Sequence, residues 1–406
     1  MADTMELRDI EVWDGNMAAS QALRQVQVDV VAAYPITPST PIVENYGNFT
    51  ANGYVDGEFV MVESEHAAMS GCIGASAAGG RVATATSSQG FALMVETLYS
   101  ASGMRLPIIL NVVNRAIGAP LNVNGDHSDM YLGRDSGWIQ FDAYCPQDAY
   151  DLNFIAFKVA EDHDVRLPAM VHQDGFMTSH TAQGVHTMTD EQGFAFVGEF
   201  QPMNDMLDLD HPVTHGVQTE EDWHFEHKAR QHHALMTAAL PKIQDAFDAF
   251  EKYTGRKYNL VETYMVEDAD AVVVCMGTSV ETAMEVVDEL RAKGLKVGVV
   301  GIRVFRPWPL TQLAEVLKNV KAIAALDRSS PHGTVGMLYN EIAGTMFNTD
   351  TKAVLTNYIY GLGGRDLTKA HLVGIFNDLK ANADAGKPTT ALQQYIGLRG
   401  PKLSFF

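Results

Sequence analysis

The sequence predicts an α/β protein made of two doubly wound units in series. Three observations carry this. Short apolar runs alternate with helical segments along most of the 406 residues. Several runs stop abruptly in small polar loops, the usual layout at the C-terminal edge of a parallel sheet. The alternation then restarts near Leu260, after a polar helical stretch.

Composition narrows the class. The chain is 46% apolar and 19% charged, which suits large buried cores. A net charge of −21 disfavours a nucleic-acid partner, and no basic stripe is present. Cys72, Cys145 and Cys275 stand far apart with no Cys-x-x-Cys spacing. Neither a zinc ribbon nor an iron–sulfur cluster held by this chain is expected, and a reducing compartment is. The segment MADTMELRDIEVWDG carries no apolar core of a signal peptide, and no apolar run approaches the roughly 18 residues of a membrane span. A cytoplasmic protein with no membrane contact is the expectation.

Residues 1–33 read as an opening strand and a helix over 16–28. An apolar run at 30–34 stops at Pro35-Ile36-Thr37-Pro38-Ser39-Thr40-Pro41, three prolines in seven residues. Proline fixes φ and lacks the N–H, so this is neither helix nor central strand. The stiff βα loop presents Thr37, Ser39 and Thr40, either to a ligand or as a plain connector. A helix from Ile42 follows, with Ser39 or Thr40 as its cap.

Residues 60–90, VMVESEHAAMSGCIGASAAGGRVATATSSQG, organise the rest. The apolar block 59–62 reads as a buried strand. Ser64 is placed to cap the next helix, with Glu65 in its first turn. That helix is nearly all small residues, and each glycine costs about 1 kcal/mol against alanine. Gly71, Gly74 and Gly79 therefore imply that something packs very close. Glu65 stands where strand becomes helix, the place where open α/β sheets hold ligands; a simple capping carboxylate is the alternative.

Residues 81–86 form a period-2 strand ending in Ser87-Ser88-Gln89-Gly90, then a helix over 91–103 and a strand over 106–113 closing on Asn114-Arg115. An arginine ending a buried strand is unfavourable unless it meets an anion, from an ion pair or a ligand. A polar loop at 125–130 (GDHSDM) and a strand at 169–172 ending in Gln173-Asp174-Gly175 complete the unit. Thr37, Glu65, Ser87, Ser88 and Arg115 thus gather on one sheet edge.

From 220 to 253 the sequence is helical and polar. His224 and His227 have an i,i+3 spacing, but with no carboxylate partner for either ring a solvated face is expected. The second unit reads as strand 271–276, turn 277–279, helix 280–293, strand 296–302, a break at 305–309 (FRPWP), helix 310–318 and strand 322–326 ending in Asp327-Arg328-Ser329. Residues 361–366 (GLGGRD) depart from G-x-G-x-x-G at Asp366 and read as a tight turn. The tail after Gly386 reads as irregular, and its apolar Leu-Ser-Phe-Phe end is expected to pack on something. The bounds drawn are a first domain at 1–235, a helical connector at 236–258, a second domain at 259–385 and a tail at 386–406.

In this order, the segments closely resemble the α subunit of the 2-oxoacid:ferredoxin oxidoreductases, nearest the multi-subunit pyruvate:ferredoxin oxidoreductases (pyruvate synthases). The likeness covers about the whole chain: YPITPSTP at 34–41, SEHAAM at 64–69, TATSSQG at 84–90, RLP and NR within 105–115, GDHSD at 125–129, RDSGW at 134–138, DGFMTSH at 174–180, RVFRPWP at 303–309 and GLGGRD at 361–366. By this resemblance the first domain is the pyrimidine-binding half of a thiamine diphosphate site, and the second a transketolase C-terminal-like α/β domain. Glu65 matches the family carboxylate that hydrogen-bonds N1′ of the aminopyrimidine. Thr37 matches a loop threonine near cofactor and substrate, and Arg115 the arginine that takes the substrate carboxylate. Pro35, Ile36, Ser88 and Gln89 complete the implied cofactor contacts. The residue chemistry agrees, because a poorly solvated carboxyl is tunable toward proton transfer, and arginine's planar fork orients a carboxylate.

The resemblance implies oxidative decarboxylation of pyruvate with coenzyme A to acetyl-CoA and CO2, with electrons passing to ferredoxin or flavodoxin, or the reverse synthesis. 2-Oxoglutarate, a branched or aryl 2-oxoacid, or oxalate are the alternative substrates. The chain has no Gly-Asp-Gly followed by Asn-Asn. A β subunit is therefore expected to grip the diphosphate with Mg2+ and to carry a 4Fe-4S cluster, with γ and δ subunits completing an enzyme in which this chain alone is inactive. No metal site is expected in this chain. A degenerate scaffold would leave position 65 arbitrary, and a nicotinamide-binding dehydrogenase would need G-x-G-x-x-G after a strand.

Overall fold

The computed structural model describes residues 10–347 and 349–400. The chain opens with β1 (Ile10–Trp13) and α1 (Gly15–Gln25), then alternates β2 (Val30–Ala33), α2 (Thr40–Ala51), β3 (Glu58–Met61), α3 (Glu65–Ala77), β4 (Val82–Thr86), α4 (Ser88–Gly103) and β5 (Ile109–Asn114). After a 3-10 turn at Met130–Gly133 come β6 (Ile139–Ala143), α5 (Pro146–Ala160), β7 (Ala169–Asp174), β8 (Gln183–His186) and α6 (Asp190–Val197). A helical run joins α7 (Glu221–His233), a π-helical stretch (Ala234–Ala239) and α8 (Leu240–Thr254). The second unit holds β9 (Val261–Tyr264), β10 (Ala271–Cys275), α9 (Ser279–Arg291), β11 (Val297–Ile302), β12 (Val304–Arg306), α10 (Leu310–Leu317), β13 (Ala322–Asp327), α11 (Met337–Phe347), β14 (Val354–Ile359), α12 (Lys369–Ala385) and β15 (Gln393–Tyr395).

Seven strands form the first large sheet, in the order β12-β6-β7-β5-β4-β2-β3. Strands β2 to β7 run parallel, and β12 closes one edge antiparallel. Every residue of β4, β5, β6 and β7 is buried, as both-sides-covered parallel strands require. The chain runs outward from β2 to β3 and then returns to β4 on the other side of β2, so strand order reverses there. Ligands bind outside the carboxyl ends at such a switch point. The second sheet has the order β15-β14-β13-β10-β11-β9, parallel but for β9. One buried apolar cluster takes side chains from both units, from Val31 and Ile109 to Val274 and Ile323. The two sheets therefore share a core.

Several expectations need correction. The block at 59–62 is not a buried strand. β3 is the edge of its sheet, and Val60 and Met61 are 42% and 58% exposed. Ser39 stands at the start of α2 but makes no side-chain cap, because its hydroxyl turns back to donate to the Ile36 carbonyl at 2.8 Å. The glycines of α3 do not all admit a close neighbour from this chain: a methyl on Gly71 would approach only the Ala32 Cβ, at 3.3 Å, and one on Gly74 would meet nothing within 4 Å. The expected break at 305–309 begins inside β12, which pairs Val304 with Phe141 and Arg306 with Gln140 and so joins the first sheet. The tail is not wholly irregular, since β15 pairs with β14 through Gln394 and Tyr358. Its Leu-Ser-Phe-Phe end lies outside the described residues, as do residues 1–9.

Candidate active site

Four βα loops meet at the carboxyl edge around the switch point. The loop after β2 carries Pro35, Ile36 and Thr37; Pro35 and Thr37 are exposed, and Ile36 is half-buried. Glu65 opens α3, which Ser64 caps by accepting the Ala67 N–H at 3.1 Å. Ser87, Ser88, Gln89 and Gly90 turn from β4 into α4. Arg115 follows β5 directly.

Arg115 ties these loops together. Its Nη1 donates to the Thr37 carbonyl at 2.8 Å, Nη2 to Gln89 Oε1 at 3.4 Å and Nε to the Asn122 carbonyl at 3.4 Å. The residue is 7% exposed. All three acceptors are neutral, and among the described residues no carboxylate forms an ion pair with this guanidinium. Burial holds it below its ordinary pKa, with the nearby Asp129 charge opposing. The described residues thus supply no ion pair for this arginine. A buried guanidinium with neutral acceptors is suited to receive an anion.

Glu65 is 7% exposed and has no hydrogen-bond or ion-pair partner among the described residues. Its Oε1 sits against the start of α4, where a methyl group on Gly90 would lie 2.5 Å from Oε1 and 2.7 Å from Thr86 Oγ1. Gly90 is therefore required by close approach, not by its φ. The Thr86 hydroxyl beside it is buried and, like that of Ser87 next in the chain, lacks a partner among the described residues. An unpaired carboxylate beside an orphaned hydroxyl fits a nitrogen-rich planar ring with both donors and acceptors, which is the chemistry of an aminopyrimidine.

Ser88 is fully buried and holds φ +52°, a left-handed conformation that non-glycine residues seldom adopt and that costs on the order of 1–3 kcal/mol. Its Oγ has one proton to donate and lies within reach of two acceptors, the Ala116 carbonyl at 2.6 Å and Gln89 Oε1. Its N–H goes to Asp129 Oδ2 at 2.8 Å. The same oxygen receives the Arg115 N–H at 2.9 Å, and Oδ1 receives Asn114 Nδ2 and the Met130 N–H, each at 2.8 Å. Burial pushes the Asp129 carboxyl up to about 6 against these donors.

The second unit braces the same loop. Asp126 Oδ2 accepts the Gly363 N–H at 3.1 Å, and Asn122 Nδ2 donates to the Gly363 carbonyl at 3.1 Å. The 361–366 turn is thus a tight turn, with Gly361, Gly363 and Gly364 all at positive φ. Asp174, at the end of β7, is fully buried between His127 at 2.7 Å, Arg328 at 2.8 Å and the Thr278 hydroxyl at 2.6 Å. Burial opposes its charge, but Arg328 and His127 hold it well below the usual carboxylate range. For His127 burial works downward, and Asp174 prevails and raises it.

The structure brings Thr37, Gln89 and Arg115 into direct contact and sets Glu65 against Gly90. Pro35 and Ile36 reach this group only through the loop backbone. Sequence reasoning missed Asn114, Asp129, Asp174 and Arg328 as organisers, although the GDHSD motif marked the loop. His224 and His227 are exposed, and His227 Nε2 lies 2.7 Å from the Gly103 carbonyl. No group of three or more His, Cys, Asp or Glu among the described residues is placed to hold a metal.

Comparison with known proteins bears on the same edge. The family described as "Pyruvate flavodoxin/ferredoxin oxidoreductase, thiamine diP-bdg" matches residues 21–245, and "Pyruvate:ferredoxin oxidoreductase core domain II" matches 269–372. The chain is 46% identical over 387 residues to the pyruvate synthase subunit PorA of Thermotoga maritima, covering 95% of this chain and 97% of that one. It is 42% identical over 388 residues to the ketoisovalerate oxidoreductase subunit VorA of Pyrococcus abyssi, covering 95% and 97%. Among solved structures, the 2-oxoglutarate:ferredoxin oxidoreductase of Magnetococcus marinus, with 2-oxoglutarate, coenzyme A and succinyl-CoA bound, superposes with a TM-score of 0.70 at 20% identity. That match covers 93% of this chain and 66% of the other. A split-gene transketolase superposes at 0.54 with 13% identity, covering 91% and 99%. At these identities the two structures speak to the fold alone.

Proposed function

The chain belongs to the pyruvate flavodoxin/ferredoxin oxidoreductase family, and from that premise we propose that it is the α subunit of a pyruvate:ferredoxin oxidoreductase, oxidising pyruvate with coenzyme A to acetyl-CoA and CO2 or running in reverse. The observation that carries this reading is the unpaired, buried Glu65 carboxylate against Gly90, on the same sheet edge as an arginine with no anion of its own. Thiamine diphosphate supplies an electron sink for the decarboxylation when bound. Glu65 would hold or release a proton at its Oε atoms, facing the ring nitrogen, which is general acid–base work in a poorly solvated place. The hydroxyls of Thr86 and Ser87 and the loop 35–37 would frame the ring. Arg115 would bind the 2-oxoacid carboxylate through its guanidinium and, by its bond to the Thr37 carbonyl, hold the substrate next to that loop.

The diphosphate end, with Mg2+, is assigned to a β subunit, because this sequence has no Gly-Asp-Gly…Asn-Asn pattern. The 4Fe-4S clusters are assigned to partner subunits, since three scattered cysteines cannot hold one. Ferredoxin or flavodoxin is the proposed acceptor, and γ and δ subunits complete the assembly. The exposed edge of β3 and the open position of α3 at Gly74 leave room for the β subunit. Among the described residues no helix is long and apolar enough to cross a membrane, and the proposed place of action is the cytoplasm.

The VorA relative, nearly as similar as PorA, makes ketoisovalerate the competing substrate. The test is co-expression with the partner subunits, followed by cofactor analysis and a coenzyme A-dependent ferredoxin-reduction assay on pyruvate, ketoisovalerate and 2-oxoglutarate. Thiamine diphosphate in the purified complex, and the highest kcat/KM on pyruvate, are expected. A complex that reduces ferredoxin with ketoisovalerate and not with pyruvate overturns the substrate; one that lacks thiamine diphosphate overturns the reading.

A further inference from the structure

We propose that Asp129 is a positioning residue that sets the direction of Arg115 and the corner at Ser88 from a single carboxylate. It rests on the reading that Arg115 takes the substrate carboxylate. Asp129 is fully buried and touches no open space, so its own contact with substrate is excluded by position. Its four donors come from three places in the chain: Ser88 at the start of α4, Asn114 and Arg115 at the end of β5, and Met130 next to Asp129 itself. Oδ2 bridges the Ser88 N–H at 2.8 Å and the Arg115 N–H at 2.9 Å, while Oδ1 takes Asn114 Nδ2 and the Met130 N–H at 2.8 Å each.

A carboxylate is acceptor-only, and here every direction it offers meets an N–H. The bridge at Oδ2 matters for two reasons. Ser88 is held at φ +52°, which persists only where surroundings over-determine it. Arg115, in turn, has only neutral acceptors for its side chain, two of them at 3.4 Å. Pinning its main-chain N–H is what fixes the root of that side chain. Because Gln89 follows Ser88 and receives Arg115 Nη2, both arms of the bridge converge on the guanidinium.

Asp129→Asn keeps the shape but turns an NH2 group toward one pair of N–H donors. The assembled complex carrying it is expected to show a KM for pyruvate raised roughly 10- to 100-fold, the size of loss that misplacement by about an ångström causes, with a smaller change in kcat. The dissociation constant of oxamate, a carboxylate-bearing isostere of pyruvate measured by calorimetry, rises in step. Asp151→Asn serves as the control for lost stability: Asp151 is equally buried on α5 and accepts from Arg256 at 2.6 and 2.8 Å, remote from the site. It is expected to lower Tm and leave oxamate binding alone. If Asp129→Asn does not assemble, Asn114→Ala strips one donor from Oδ1 and is expected to move oxamate binding the same way by less. Oxamate binding unchanged in the assembled Asp129→Asn complex, or in Asn114→Ala where that complex does not form, overturns the proposal. Oxamate binding unchanged in Arg115→Ala overturns instead the carboxylate reading on which it rests.

Discussion

Nη1 of Arg115 donates to the main-chain carbonyl of Thr37 at 2.8 Å, which joins the loop after β5 to the loop after β2. Among the described residues the buried guanidinium has no carboxylate partner, so removing it takes away the anion site together with three hydrogen bonds to neutral acceptors. Arg115→Ala is expected to weaken 2-oxoacid binding by about 2–4 kcal/mol, roughly 30- to 1,000-fold in KM. Arg115→Lys should recover only part of this, because a point charge lacks the planar fork. Steady-state kinetics of the complex on pyruvate measure both, and an unchanged KM in the alanine variant would remove Arg115 from the substrate site.

Glu65→Gln separates chemistry from folding. Loss of a positioned acid–base group typically lowers turnover by about 10²–10⁴-fold. Among the described residues the carboxylate has no partner, so the isosteric amide leaves no charge stranded and should hold or raise Tm. The expected pair of results is therefore a collapsed kcat and an undiminished melting temperature. Near-normal turnover would sink the assignment; a large drop in Tm would mean that Glu65 is a structural cap.

Gly90→Ala tests the contact from the other side. Its methyl would sit 2.5 Å from Glu65 Oε1 and 2.8 Å from Glu65 Cδ, so the carboxylate must move. Overpacking typically costs about 1–3 kcal/mol, offset by about 1 kcal/mol of better helix propensity. Net stability should thus fall by about 0–2 kcal/mol while activity falls. If the loss acts through Glu65, the Gly90→Ala, Glu65→Gln double variant should be no slower than Glu65→Gln alone. Multiplicative losses in the double variant would show that the methyl acts elsewhere.

The candidate site was legible wherever its residues sit in a stretch whose local pattern fixes a strand-to-helix junction. Glu65, Ser88 and Arg115 each stand within a few residues of a strand's end, and that alone puts them on one edge. Burial was less legible, since it depends on neighbours distant in sequence. Residues 59–62 look like any interior strand, yet β3 has a neighbour on one side only. β12 escaped because three residues running into Pro307 carry no periodicity, and its pairing with β6 joins parts of the chain far apart. Asp129 escaped for a related reason: its donors are Ser88, Asn114, Arg115 and Met130, and no spacing rule links them.

His172 gives the fold a defined response to acid. It is fully buried in β7, and both ring nitrogens lack a hydrogen-bond partner among the described residues. Burial, helped by the nearby His127, lowers its pKa to about 3, whereas an unfolded histidine titrates near about 6.5. Between those values the unfolded chain binds the extra proton, so stability falls as pH drops, by up to about 1.4 kcal/mol per pH unit. Asp142, on the adjacent β6, is raised by burial to about 7 and works in the opposite sense, losing stability as pH rises toward that value. The comparison must therefore be between variants and not along one curve. His172→Phe removes the titrating nitrogens and adds ring volume, a packing change that does not depend on pH, so its Tm relative to the parent should improve steadily from pH 7 to pH 5. Parallel Tm curves for the two proteins across that range would show that the buried ring is not the acid-sensitive group.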